Sequence, residues 1–140
     1  MDALTLCERL FDAFASADAN AVRRLCHEDL VAVQNNDGPM SLDMLIRFAE
    51  AVHDLVPDFE YANPRRSVTE TGFVEEHDVQ GTLPNGDRIN LAVCIVAEIS
   101  DGRIIALREY FDPSRARNLT KALQSARSRP GVLLNPAKPA

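Results

Sequence analysis

The chain has 140 residues, of which 46% are hydrophobic and 26% charged, with a net charge of −6 and a pI near 5.0. That describes one ordinary globular domain with a core of its own, and its acidity argues against a nucleic-acid groove. No apolar run approaches the ~20 residues of a membrane helix, and the acidic, amphipathic start MDALTLCERLFDAF is not a signal peptide.

Leu6, Leu10, Phe11 and Phe14 recur at helical spacing, which predicts a first helix over about 3–15. Asp18 is a good N-cap for a second, with Ala21, Val22, Leu25 and Cys26 on its apolar face. LVAVQ (30–34) reads as a short strand, and NNDGP (35–39) is turn chemistry. Ser41 caps a third helix with Leu42, Leu45, Ile46, Ala49 and Val52 in one stripe, and Pro57 lies just beyond it. From there the period becomes two. FEYA (59–62) starts a strand that Pro64 marks as an edge or a bulge. Strands follow near 65–70, 72–83, 87–99 and 103–112, then a helix near 113–127. Helices followed by antiparallel strands make the class α+β, a curved sheet over helices with a pocket between them. Residues 1–128 read as the single domain and 129–140 as a Pro-rich tail.

The turns predict which side chains face inward. Asn85-Gly86 is a strong signal for a two-residue hairpin, which pairs Pro84 with Asp87. Asp78 then stands opposite Val93, Glu76 opposite Ile95 and Gln80 opposite Leu91, and directly opposed residues share a face. Leu91, Val93 and Ile95 form the more apolar row, so Glu76, Asp78 and Gln80 are expected inside and Glu75 and His77 outside. At Ser100-Asp101-Gly102, a three-residue loop pairs Ile99 with Arg103, Leu107 with Ile95 and Glu109 with Val93. Asp78 and Glu109 then flank Val93 from both sides, their backbones about 9–10 Å apart. Two buried acids so placed raise one another's pKa, so that one serves as proton donor while the other stays a base. A purely structural alternative pairs Glu109 or Glu76 with a helix arginine such as Arg9 or Arg47.

Cys7, Cys26 and Cys94 are odd in number, with no CxxC, and read as reduced, buried thiols of a cytoplasmic protein. His27, His53 and His77 show no metal spacing. Asp37 and Asp101 read as turn residues.

DVQGTLPNG, an apolar strand, then SDGRI and REYFD resemble the nuclear transport factor two-like superfamily, with its SnoaL-like cyclases, ketosteroid isomerases and limonene epoxide hydrolases. The resemblance covers about residues 4–112. It implies a cone-shaped, cystatin-like α+β barrel, with three N-terminal helices in the concave face of a curved mixed or antiparallel sheet. The nearest motif is that of limonene epoxide hydrolase, whose Asp–Arg–Asp triad lies on the third and last strands, with a Tyr and an Asn from the first holding water. Asp78 matches the first aspartate, Glu109 stands at the second, and Asn35 matches the asparagine. The arginine position is Glu76 and the tyrosine position Val33. The ketosteroid isomerase positions fall on Leu10, Gln34 and Ile95, and the SnoaL-type acid/base aspartate also falls on Ile95, so neither mechanism carries over as it stands.

The expectation is a cofactor-free, metal-free acid–base enzyme for a small apolar molecule: a hydrolase, dehydratase or isomerase. Asp78 and Glu109 form its acid/base pair and Asn35 orients. Glu76, Gln80, Leu91, Val93, Ile95, Leu107 and Phe111 contact substrate. Neither nucleic acid nor membrane is expected as a partner. A homodimer through the outer sheet face, where Arg108 and Tyr110 lie, is the resemblance's implication. The alternative is a non-catalytic binding or dimerisation module.

Overall fold

The computed structural model describes residues 1–127. The Pro-rich stretch expected at 129–140 lies outside the described residues. In chain order the elements are α1 (Ala3–Ala15), α2 (Ala19–Leu25), β1 (Cys26–Gln34), β2 (Met40–Ser41), α3 (Leu42–Leu55), β3 (Glu60–Val68), β4 (Gly72–Thr82), β5 (Arg88–Ser100), β6 (Arg103–Phe111) and α4 (Arg117–Arg127). Each predicted cap is in place. The Asp18 carboxylate accepts from the Ala21 amide, and the Ser41 hydroxyl from that of Met44. Asp2 caps α1 in the same way, through the Thr5 amide.

The six strands form one curved, open sheet in the order β2-β1-β6-β5-β4-β3, with only β1 and β6 parallel. The sheet does not close, so the cone has edges at β2 and β3. Pro64 lies on edge strand β3, where the pairing with β4 is irregular between Ala62 and Arg65. That satisfies a residue with no N–H to donate. Helix α1 packs on β3 and β4, α3 packs on β1, and α4 packs on α3. The inward stripe of α1, with Leu6, Leu10 and Phe11 at 5% exposure or less, joins the inner row of β4 and β5 in one core. Each such side chain contributes roughly 1.5–3 kcal/mol by leaving water.

Both hairpin registers differ from expectation, and the reasons are local. At the first, Leu83 pairs with Asp87 through Leu83 N–H to Asp87 O at 2.8 Å. The loop is three residues long, Pro84-Asn85-Gly86, with only Gly86 at positive φ (+91°). A two-residue loop would have placed Pro84 at a position that must donate an N–H, which proline lacks; proline fits the second position of a type I turn instead. The consequence is a one-residue slip of β4 against β5. Glu75 stands opposite Ile95, His77 opposite Val93 and Val79 opposite Leu91, while Asp78 pairs with Ala92, Glu76 with Cys94 and Gln80 with Asn90. A slip of one reverses every face. Glu75 and His77 are therefore inside, at 0% and 4% exposure, and Asp78, Glu76 and Gln80 are outside.

The second hairpin has the two-residue loop. Asp101 and Gly102 are both at positive φ (+52° and +75°), as a type I′ turn requires, and Ser100 pairs with Arg103. An irregularity follows between Glu98 and Ile99, so Leu107 pairs with Ala97 and Glu109 with Ile95. This differs by two residues from the expected pairing, so Glu109 keeps its inward face but stands beside Ile95 rather than Val93.

Candidate functional site

Between the inner face of the sheet and the helices lies a cavity of about 240 Å³. Leu91, Val93, Ile95, Leu107 and Phe111 form its sheet wall. Phe11 and Phe14 of α1, Val52 and His53 of α3, and Leu119 and Leu123 of α4 complete it. In this mostly apolar surface the one acid among the described residues is Glu109; Gln34 and Tyr61 are polar lining residues as well.

Glu109 is placed by the parallel β1–β6 pairing, which sets it directly opposite Gln34. Gln34 Nε2 donates to Glu109 Oε1 at 3.0 Å. No arginine reaches it among the described residues. Its partial exposure is to the cavity. Burial pushes the Glu109 carboxyl above its ordinary value, and the charge of His77 and the Gln34 hydrogen bond offset this only in part. Burial also raises the Tyr61 phenol, reinforced by the negative charges of Glu109 and Glu75.

Asn35 is not among the residues that line this cavity. It adopts a left-handed conformation (φ +51°) at the end of β1. Its N–H donates to the Glu109 carbonyl at 2.8 Å, and its Oδ1 accepts from the Phe111 N–H at 3.0 Å. It clasps the backbone on both sides of Glu109, so its contribution is to hold the acid in place.

The expected partner acid is elsewhere. Asp78 Oδ2 accepts from Asn63 Nδ2 at 3.0 Å on the outer face, Glu76 pairs with Arg65 at 3.3 Å, and Gln80 donates to Asn90 at 3.3 Å. None of the three lines the cavity, because the slip at Pro84 turned the odd-numbered residues of β4 inward. What faces inward is a buried ionic chain. Arg66 Nε of β3 donates to Glu75 Oε1, and Glu75 Oε2 lies 2.5 Å from His77 Nδ1. Cys7 Sγ of α1 also donates to Glu75 Oε1, at 3.5 Å. Burial alone would favour the neutral acid at Glu75. Hydrogen bonds from His77 and Arg66, and then their charges, outweigh it and hold the carboxyl below its ordinary value. Burial, then the Glu75 charge, pushes the Cys7 thiol up to about 12.

Sequence reasoning missed Glu75, His77, Arg66, Gln34 and Tyr61. The signal that could have found the first two was Pro84, which is incompatible with the two-residue loop. Among the described residues no group of three or more His, Cys, Asp or Glu side chains is arranged to hold a metal ion. No helix among them is long and apolar enough to cross a membrane.

Several solved structures share this architecture. PrhC from Penicillium brasilianum superposes with a TM-score of 0.76 at 15% identity, covering 92% of each chain. An M. tuberculosis LEH-like epoxide hydrolase superposes at 0.69 with 22% identity, covering 89% of this chain and 94% of that one. IdmH from Streptomyces antibioticus, a candidate polyketide cyclase, superposes at 0.71 with 17% identity, covering 86% and 99%. No curated protein matches the chain in sequence. The SnoaL-like domain pattern matches residues 7–107, most of the sheet and the first three helices. On that match and this architecture, the chain belongs to the SnoaL-like domain family within the NTF2-like superfamily.

Proposed function

We propose that this protein binds a compact, mostly apolar molecule in the cavity and transforms it by cofactor-free acid–base chemistry, as a hydrolase, dehydratase or isomerase. The observation that carries this reading is Glu109: an acid, raised by burial, in a mostly apolar wall, with an amide rather than an arginine for a partner among the described residues. A carboxyl tuned upward can deliver a proton near neutral pH and take one back. Gln34 engages Oε1, leaving Oε2 for a ligand. The Tyr61 hydroxyl is a second donor for a ligand oxygen, and the small volume, below the ~300 Å³ of common ligand sites, selects a compact molecule. The likeness to an epoxide hydrolase and to a candidate polyketide cyclase supports chemistry on small molecules in this fold.

Asp78 does not enter this reading, since its carboxylate is on the outer face. Asn35 enters only as the clasp behind Glu109. The test is Glu109→Gln on a panel of epoxides and hydroxy-ketones. Loss of about 10²-fold or more in turnover is expected; unchanged turnover would sink the role assigned to Glu109.

A second reading, a non-catalytic binding or dimerisation module, is favoured by the outer face of the sheet. Val31 of β1 and Tyr110 of β6 are 47% and 37% exposed there. We place a homodimer on this face, and a monomer at all concentrations in sedimentation would remove it. The free thiols of Cys7, Cys26 and Cys94 suit a cytoplasmic setting.

A further inference from the structure

The cavity has a second set of polar side chains, on its helices rather than on the sheet. His53 of α3 and Thr120 and Gln124 of α4 all line it. Thr120 and Gln124 are exposed and His53 is half-buried, whereas the other lining residues are buried or half-buried. The cavity therefore reaches water beside α4. His53 and Gln124 make no hydrogen bond or ion pair among the described residues. An imidazole and an amide left so are groups that a ligand can satisfy.

Contacts at the β4–β5 hairpin fix where this mouth lies. Asp58, just beyond the end of α3, accepts from the Thr82 amide and hydroxyl at 2.7 Å each and from Arg88 at 3.1 Å. Asn118, at the start of α4, donates to Asp87 at 3.3 Å. Helix α3 thus meets the hairpin with its C-terminal end and α4 with its N-terminal end, and the two helices pack together. They run in opposite directions, which brings His53, in the last turn of α3, to the Thr120 half of α4. Gln124 follows one turn on, on the same face as Thr120. Leu91 is the lining residue of β5 nearest the hairpin, and Glu109 stands beside Ile95, four positions further along. Four positions of strand span about 13 Å. Polar groups thus lie at both ends of the cavity, with apolar walls between.

The two ends differ in charge. The inner end holds Glu109, whose ionised form repels an anion. The mouth lies along α4, RNLTKALQSAR, which carries Arg117 and Lys121 and no acid, so the field there favours an anion. Glu50 and Asp54, the acids near His53 on α3, are exposed, where water and salt screen them. His53, Thr120 and Gln124 can each donate an N–H or O–H. Resting on the reading of this cavity as the ligand site, we infer that its ligand is a small carboxylic acid whose carboxylate is held at the mouth by His53, Thr120 and Gln124. The apolar body fills the walls between, and the reacting oxygen meets Glu109. The substrate class narrows to compact hydroxy, keto or epoxy acids that enter with the charged end trailing.

The test is calorimetric titration of the protein at pH 7 with cinnamate and with cinnamyl alcohol, a pair alike except for the carboxylate. Cinnamate is expected to bind about tenfold tighter or more. His53→Phe and Gln124→Met should each weaken cinnamate about threefold or more and leave the alcohol within about twofold. Equal affinity for the pair, no binding of cinnamate, or unchanged cinnamate affinity in Gln124→Met overturns the inference. Gln124 is on an exposed helix face and Met keeps its length, so that arm decides the matter even if His53→Phe does not fold. The binding does not use the Glu109 proton. A negative result here therefore leaves the Glu109→Gln turnover result standing, and unchanged turnover in Glu109→Gln leaves the cinnamate result standing.

Discussion

Glu75 and Glu109 stand on either side of Ile95, on β4 and β6, and their environments push their ionisation in opposite directions. Glu75 has Arg66, His77 and Cys7 around it and stays charged. Glu109 has the Gln34 amide for its side-chain hydrogen bond, beside a mostly apolar cavity, and burial outweighs that bond and the His77 charge to push it toward its neutral form. Two carboxyls whose values are driven apart are the arrangement from which acid and base roles are drawn.

Stability should respond to Glu109 with a definite sign. Its folded pKa lies above the ordinary 4.5, so its contribution is complete below pH 4.5 and is lost as pH rises through the folded value. Glu109→Gln removes that loss. Thermal melts should show the variant more stable than wild type at pH 8, with the advantage shrinking toward pH 4.

Glu75 has the opposite sign. Its folded pKa is depressed, so its contribution is present above pH 4.5 and lost as pH falls through the folded value. Glu75→Gln leaves Arg66 and His77 without their common anion. The cost should be about 2–4 kcal/mol in urea unfolding at pH 7, toward the low side of buried-pair losses because Arg66 is partly open to water.

The turn that sets the β4–β5 register depends on Gly86. At φ +91° with nothing within 4 Å of an added Cβ, Gly86→Ala costs only backbone strain. A loss of about 1–2 kcal/mol is expected, measured by urea unfolding.

Thiol reactivity should sort by burial. Cys7 and Cys26 are buried, with thiols pushed up to about 12 by burial, and Cys94 is partly exposed on the outer face. Ellman's reagent should titrate Cys94 in the native protein and all three only after denaturation.

The capped helices, the strand positions and the apolar sheet wall were legible because caps and periodicity are local. The identity of the polar side chains inside was not, because it hangs on single residues in turns. Asn85-Gly86 suggested a two-residue loop, and Pro84, one place earlier, made it three; that alone exchanged Asp78 and Glu76 for Glu75 and His77. Glu109 was found despite a wrong loop, since Asp101-Gly102 and the irregularity at Ile99 together shift the pairing by two and keep the face. Gln34 could not be paired with Glu109 from sequence, because a parallel β1–β6 contact between segments 75 residues apart leaves no local mark.

The most direct measurement is kcat/KM for Glu109→Gln and Asp78→Asn, side by side on the substrate that the panel identifies. The account predicts a loss of about 10²-fold or more for Glu109→Gln and a change within about twofold for Asp78→Asn. Equal losses in both, or a loss confined to Asp78→Asn, would contradict it.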